Sequence, residues 1–174
     1  MSRLAACVAR FEALEAELNT LDAATGDGDH GTTILKGLRA AEAAERAGEA
    51  PDAAFRKAAG GASGALFAAL IGALLRIDAG EPPGAALGAA ARRIAMLGQA
   101  KAGDKTMLDA LLPAAEAATL AHAAAAAEAG RKATAEMEAR RGRARYVEGA
   151  GRGHVDPGAA SVAELLKVWT EAEA

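Results

Sequence analysis

The sequence predicts an all-α fold in a single domain. Three observations carry that prediction. Apolar residues recur at helical spacing from the first turns onward, with Leu4, Cys7, Phe11, Leu14 and Leu18 on one stripe. No run alternates apolar and polar residues as a half-buried strand does. Glycine and proline clusters divide the chain into lengths that suit about seven or eight helices.

Each element follows from its own pattern. The first helix adds Val8 and Leu21 to its stripe and carries Glu12, Glu15 and Glu17 on the opposite face. The glycine-rich "TGDGDHG" ends it. A second helix is predicted from near Thr32 to Gly48, with Ile34, Leu35 and Leu38 inward. Pro51 and Asp52 restart the chain, and helical spacing runs from Ala53 to Ile77 with an interruption at Gly60 and Gly61. "GEPPG" (80–84) is a turn by composition, and helix resumes from Ala85 to Leu97. "GQAKAGDKT" forms a second glycine-bearing loop, followed by Met107 to Leu112, where Pro113 marks a kink or a restart. Alanine dominates from Ala114 to Ala139, and 140–158 is a long irregular loop by its glycine content. Asp156 is suited to cap the last helix and Pro157 to open it; Val162, Leu165, Leu166 and Trp169 form its apolar face. No fixed-period repeat and no disordered tail is expected in residues 1–174.

Composition narrows the function. The chain has 174 residues and is 52% hydrophobic and 25% charged, which suits one domain with a buried core. A net charge of −3 argues against a general nucleic-acid binder, because phosphate backbones demand a positive field. A single cysteine, Cys7, excludes an internal disulfide and fits a reducing compartment. The first residues lack the apolar core of a secretory signal, so a cytoplasmic location is expected. The uncharged stretch from Ala58 to Leu75 opens with glycines and a serine and is mostly alanine; it predicts a buried helix rather than a membrane span.

Three loops could carry chemistry. "LDAATGDGDHG" (21–31) gathers Asp22, Asp27 and Asp29 among glycines. Three close carboxylates repel one another unless a hard divalent cation such as Mg²⁺ neutralises them; an acidic turn that caps the next helix is the alternative. An EF-hand is excluded, because Gly31 and Leu38 stand where oxygen ligands are needed. "GGASG" (60–64) puts Ser63 at a helix start, which suits either a phosphate or a close helix contact. "GDKT" (103–106) is not a P-loop, since Asp104 intrudes and no strand precedes it. Lys105 and Thr106 there are read as aids to anion binding or as a capped helix start with a solvated lysine. "ARRGRARY" (139–146) holds four arginines that could meet an anionic ligand. His122 reads as a surface or packing residue and Cys7 as a small core residue.

The order of these motifs is more specific than any one of them. "NTLDAATGDGDHGTT", "GGASGALF", "GDKTMLDALLPA", "GRARY" and "GHVDPGAASV" together resemble the L subunit of dihydroxyacetone kinase. They equally resemble the homologous nucleotide domain of ATP-dependent kinases. The resemblance spans Asn19 to Ser161. It implies a barrel of eight antiparallel helices with nucleotide bound at one end. It implies that Asp22, Asp27 and Asp29 hold two Mg²⁺ ions, and that His30, Gly31, Thr32 and Thr33 contact phosphate with Ser63 and Ala62. The nucleoside is then expected around Gly98, Met107, Asp156, Pro157 and Gly158, with Arg143 as the arginine of the "GRA-Y" motif.

The resemblance also implies partners. The ketose is held by a separate K subunit or domain, so this chain alone would bind nucleotide without phosphorylating dihydroxyacetone. In the phosphotransferase-system type, ADP stays bound as a cofactor and receives phosphate from a phosphohistidine-carrying M subunit. In the other type, ATP is an exchangeable substrate, and other short ketoses are open as acceptors. His30 and "GH-DPGA" resemble the separate L subunits, whereas "YVEGAGRGH" (146–154) departs from their pattern at Gly149 and Ala150. A regulatory module that kept the fold and lost turnover is a different class, and the intact acidic triad argues against it.

Overall fold

The computed structural model describes residues 1–172 and contains eight α-helices among them. The expectation about the chain's tail falls, for residues 173–174, outside the described residues. The helices are α1 (Arg3–Ala23), α2 (His30–Ala47), α3 (Pro51–Ala59), α4 (Gly61–Asp78), α5 (Pro83–Gly98), α6 (Leu108–Ala115), α7 (Leu120–Ala133) and α8 (Pro157–Glu171). Each packs on the next, and α8 returns to pack on α1. That last contact closes the ring into a barrel, which helical spacing alone could not have revealed.

The core fills the inside of the ring. Leu4, Cys7, Phe11 and Leu18 of α1 face Ile34, Leu35 and Leu38 of α2 and the apolar face of α8, all buried. Burial pushes the Cys7 thiol up to about 12, which makes it inert. Helix α4 is long and apolar enough by length and composition to cross a membrane. It packs instead as one stave between α3 and α5, with Phe67, Leu70, Ile71 and Leu74 in the core. Trp169 lies fully buried on α8, and its indole N–H donates to Asp78 at the end of α4 (2.9 Å). Asp78 also pairs with Arg3 at the start of α1.

The boundaries differ from the sequence reading in four places. Helix α2 starts at His30 rather than near Thr32, because the Asp22 carboxylate reaches across to accept the His30 N–H and the two amides before it. Pro113 does not restart a helix but lies inside α6. The alanine-rich stretch breaks at 116–119, where Thr119 accepts the His122 N–H (3.2 Å) and starts α7. The 140–158 loop contains two short 3₁₀ turns, Arg143–Tyr146 and Glu148–Gly151. Elsewhere the caps are as read: Asp156 accepts the Ala159 N–H (2.8 Å) and Pro157 opens α8.

An up-and-down ring sorts its connections between two ends. Short turns at 48–50, 79–82 and 116–119 share one end. The other end collects the loops at 24–29, 60, 99–107 and 134–156. Every stretch that the sequence marked as able to carry chemistry lies at that second end.

Candidate nucleotide and metal site

The second end encloses a cavity of about 470 Å³, a size that suits a small-molecule ligand. Asp22 at the end of α1 organises its acidic side. One carboxylate oxygen accepts the N–H groups of Gly28 (2.9 Å), Asp29 (3.0 Å) and His30 (3.2 Å). Gly28 sits at φ 80, a conformation that favours glycine. The turn brings Asp22, Asp27 and Asp29 together so that one carboxylate oxygen from each lies within 4.8 Å of the others.

Electrostatics within the triad are uneven. Asp27 pairs with the Arg143 guanidinium, whose hydrogen bond holds its carboxyl below the usual range. Desolvation raises the Asp29 carboxyl, and the charge of Asp27 raises it further. Three hard oxygen donors, with only one cation against them, are the donor set that Mg²⁺ prefers. Asp22, Asp27 and Asp29 therefore fit a divalent cation by chemistry and by proximity.

The start of α4 lies on another wall of the cavity, where Gly60, Gly61, Ala62 and Ser63 line it. Gly60 and Gly61 take φ 67 and 57, and no side chain caps the first amides of the helix. Uncapped N–H groups at a helix start, with the helix dipole behind them, attract an anion. Leu66, Phe67, Met107, Pro157 and Gly158 give the cavity an apolar part.

Twelve of the fifteen expected residues line the cavity: the three aspartates with His30, Thr33, Ala62, Ser63, Met107, Arg143, Asp156, Pro157 and Gly158. Gly31, Thr32 and Gly98 do not. Gly31 packs against the Glu15 carbonyl of α1. Thr32 also faces α1: its N–H donates to Asn19 (3.1 Å) and its hydroxyl to Glu15 (2.7 Å). Gly98 ends α5 behind Leu66, which takes the lining position.

Three residues have surroundings that the sequence did not show. His30 lines the cavity with little exposed surface; its Nε2 lies 2.9 Å from the Ser161 hydroxyl and its ring meets Phe67 edge-on. Burial pushes its pKa down to about 4, so the imidazole is neutral. Lys105 is neither solvated nor free for an anion: it is 2% exposed, and its ammonium donates to three backbone carbonyls. Burial pushes the Asp156 carboxyl up to about 7, against the opposing pull of the Ala159 N–H and Lys105. Thr25, Leu66 and Phe67 line the cavity without having been given a role, and Arg141 lines it as one of the four arginines of "ARRGRARY". The only sequence signal of the first three was their place inside a motif.

Comparison with known proteins finds relatives in both sequence and fold. The DAK2 domain family model matches residues 24–171. The L-erythrulose 1-kinase of Mycolicibacterium smegmatis is 38% identical over 90% of this chain and 32% of its own length. The triokinase/FMN cyclase of Homo sapiens is 34% identical over 91% of this chain and 32% of its own length. The crystal structure of the C. freundii dihydroxyacetone kinase in complex with AMP-PNP and Mg²⁺ superposes with a TM-score of 0.74 at 28% identity. It matches 98% of this chain and 33% of that one. The chain thus spans about a third of the length of the relatives it matches. Matched over most of its length in sequence and almost all of it in fold, the chain belongs to the DAK2 domain family.

Proposed function

We propose that this chain, as one domain over residues 1–174, binds Mg²⁺ and an adenine nucleotide and transfers a phosphoryl group to a short ketose held by a separate K subunit or domain. The observation that carries the proposal is the acidic triad on a cavity shared with the uncapped start of α4. Asp22, Asp27 and Asp29 would hold two Mg²⁺ ions, which when bound neutralise phosphate oxygens and align the transferring group. The amides of Ala62 and Ser63 and the hydroxyls of Ser63 and Thr33 donate to phosphate. Met107, Pro157 and Gly158 pack against the nucleoside, with Leu66 and Phe67 completing the apolar part. Arg143 leaves Asp27 for the phosphates once a cation takes up the carboxylate. No side chain here needs to act as a nucleophile, because phosphoryl transfer rests on positioning and charge neutralisation.

Two donors fit. In the first reading ADP is a resident cofactor, rephosphorylated by a phosphohistidine-carrying M subunit; the separate-subunit form of "GDGDHG" and "GHVDPGA" supports it. In the second reading ATP exchanges, which the AMP-PNP complex of the C. freundii enzyme and the kinase relatives support. Those relatives also support erythrulose and dihydroxyacetone as acceptors, and a cytoplasmic location belongs to the same proposal. Calorimetry with ADP or ATP, with and without EDTA, tests the binding. Tight nucleotide binding that ignores EDTA would refute the metal site. Purified chain with its K partner then decides the donor: many turnovers on ATP alone refute the resident-ADP reading, and ADP that copurifies in stoichiometric amount refutes free exchange.

A further inference from the structure

Residues 138–153 leave the barrel between α7 and α8 and carry five arginines against two glutamates. Among them is Arg143, which reaches back to Asp27. Both ends of this excursion meet at Lys105. Its ammonium donates to the carbonyls of Thr134 (2.5 Å) and Met137 (3.3 Å) before the loop and of His154 (2.5 Å) after it. An ammonium has three N–H donors, and all three are engaged.

The rest of the "GDKT" turn serves the same neck. The Asp104 carbonyl accepts the Arg140 N–H (3.0 Å), and the Gly153 N–H crosses to the Ala135 carbonyl (2.7 Å). The lysine stem runs beneath Gly151, where an added methyl would lie 3.3 Å from its Cε. Lys105 itself is held at φ 59, a costly conformation for a residue with a side chain. The Asp109 carboxylate fixes that turn by accepting the N–H groups of Gly103 (2.6 Å) and Thr106 (2.8 Å). Asp156 and Glu136 favour the charged ammonium against its burial.

We propose that Lys105 is a positioning residue whose ammonium clamps the neck of the 138–153 loop and thereby holds Arg143 at the mouth of the cavity. The loop has little core of its own: Tyr146 and Val147 are exposed, and Ala139 and Gly151 are its buried residues. Its order therefore depends on the neck, and three charge-assisted hydrogen bonds from one atom are the strongest contacts there.

Limited trypsin digestion tests the clamp, because the loop's arginines are cleavage sites. Lys105→Met is expected to speed cleavage between Arg140 and Arg152 by about tenfold, with global helicity retained. Lys105→Arg, which keeps charge and donors, is expected to restore resistance. Affinity for MgADP tests the consequence, and this arm rests on the nucleotide reading above. Lys105→Met is expected to weaken MgADP by about fivefold, and that loss disappears when Arg143→Ala is already present. Unchanged cleavage overturns the proposal, and so does an equal affinity loss in both backgrounds. If Lys105→Met does not fold, Lys105→Gln is read by the same two measurements. If the native chain binds no MgADP, the functional reading fails and cleavage alone decides the clamp.

Discussion

One carboxylate oxygen of Asp22 accepts three backbone N–H groups, so the acidic loop is shaped before any cation reaches it. Asp29 caps no amide of α2 with its side chain, which turns instead to the other carboxylates of the triad. The two aspartates should therefore fail differently. Asp29→Ala is expected to abolish Mg²⁺-dependent nucleotide binding with the melting temperature almost unchanged. Asp22→Ala is expected to lose the same binding and also about 1–3 kcal/mol of stability, because it strands those amides. Paired calorimetry and thermal unfolding separate the two, and equal melting temperatures would remove the organising role of Asp22. Asp156 supports a pH prediction. Its carboxyl ionises near the usual 3.8 when unfolded and near 7 when folded. Between those values the folded state holds the proton more tightly, so raising the pH through that window removes stability. The stability of the native chain relative to Asp156→Asn is expected to fall by about 2–4 kcal/mol from pH 4 to pH 7. Urea unfolding of both at pH 4, 5.5 and 7 measures it; parallel curves would refute it. The sequence marked all these residues by type and order. It could not mark their burial, which is why Lys105 read as a solvated or anion-binding side chain.

At the scale of the helices, the close approach of backbones explains contacts that apolar stripes do not. Pro113 has no N–H, so the Asp109 carbonyl one turn earlier lacks its helical donor. Gly130 of α7 packs directly on that carbonyl, with Ala110 beside it. A methyl at position 130 has nowhere to go except by separating α6 from α7. Gly130→Ala is expected to destabilise the fold by about 1–3 kcal/mol, although alanine is the better helix former. A denaturant midpoint at or above that of the native chain would refute the close contact. Gly31 against the Glu15 carbonyl repeats the device between α2 and α1, and Gly37 of α2 makes room for the Phe55 ring of α3. The helices themselves were legible because their stripes, prolines and caps are local signals. The misread boundaries have causes that spacing does not encode. The start of α2 depends on a carboxylate eight residues away, and the start of α7 depends on Thr119 in a run of alanines that would otherwise continue. Gly31 shows the same limit at the site: the motif marked it correctly as a glycine that matters, but its neighbour is α1 rather than the cavity.

The whole molecule is a closed ring, and closure joins the chemistry to the stability of every helix. Helix α8 carries the Asp156–Pro157–Gly158 turn at the cavity and Trp169 near the opposite end, so it spans the barrel from site to base. There Trp169 binds Asp78 of α4, which also pairs with Arg3 of α1. Three staves thus meet at one contact, and no helix can leave without opening it or the core around it. Trp169 is the only tryptophan, so its fluorescence reports that contact alone, whereas circular dichroism reports all eight helices. A ring without a free edge should unfold as one unit, and the two signals are expected to share one denaturant midpoint. Ligand extends the argument. MgADP contacts loops between α1 and α2, α3 and α4, and α7 and α8 under the proposed function, and each of those loops is tied to a different pair of staves. Saturation at 100 times Kd is expected to raise stability by about 2.7 kcal/mol and to shift both midpoints together. EDTA should cancel the shift in both signals. A shift confined to circular dichroism would mean that the site end melts apart from the base, and the ring would then be two units rather than one.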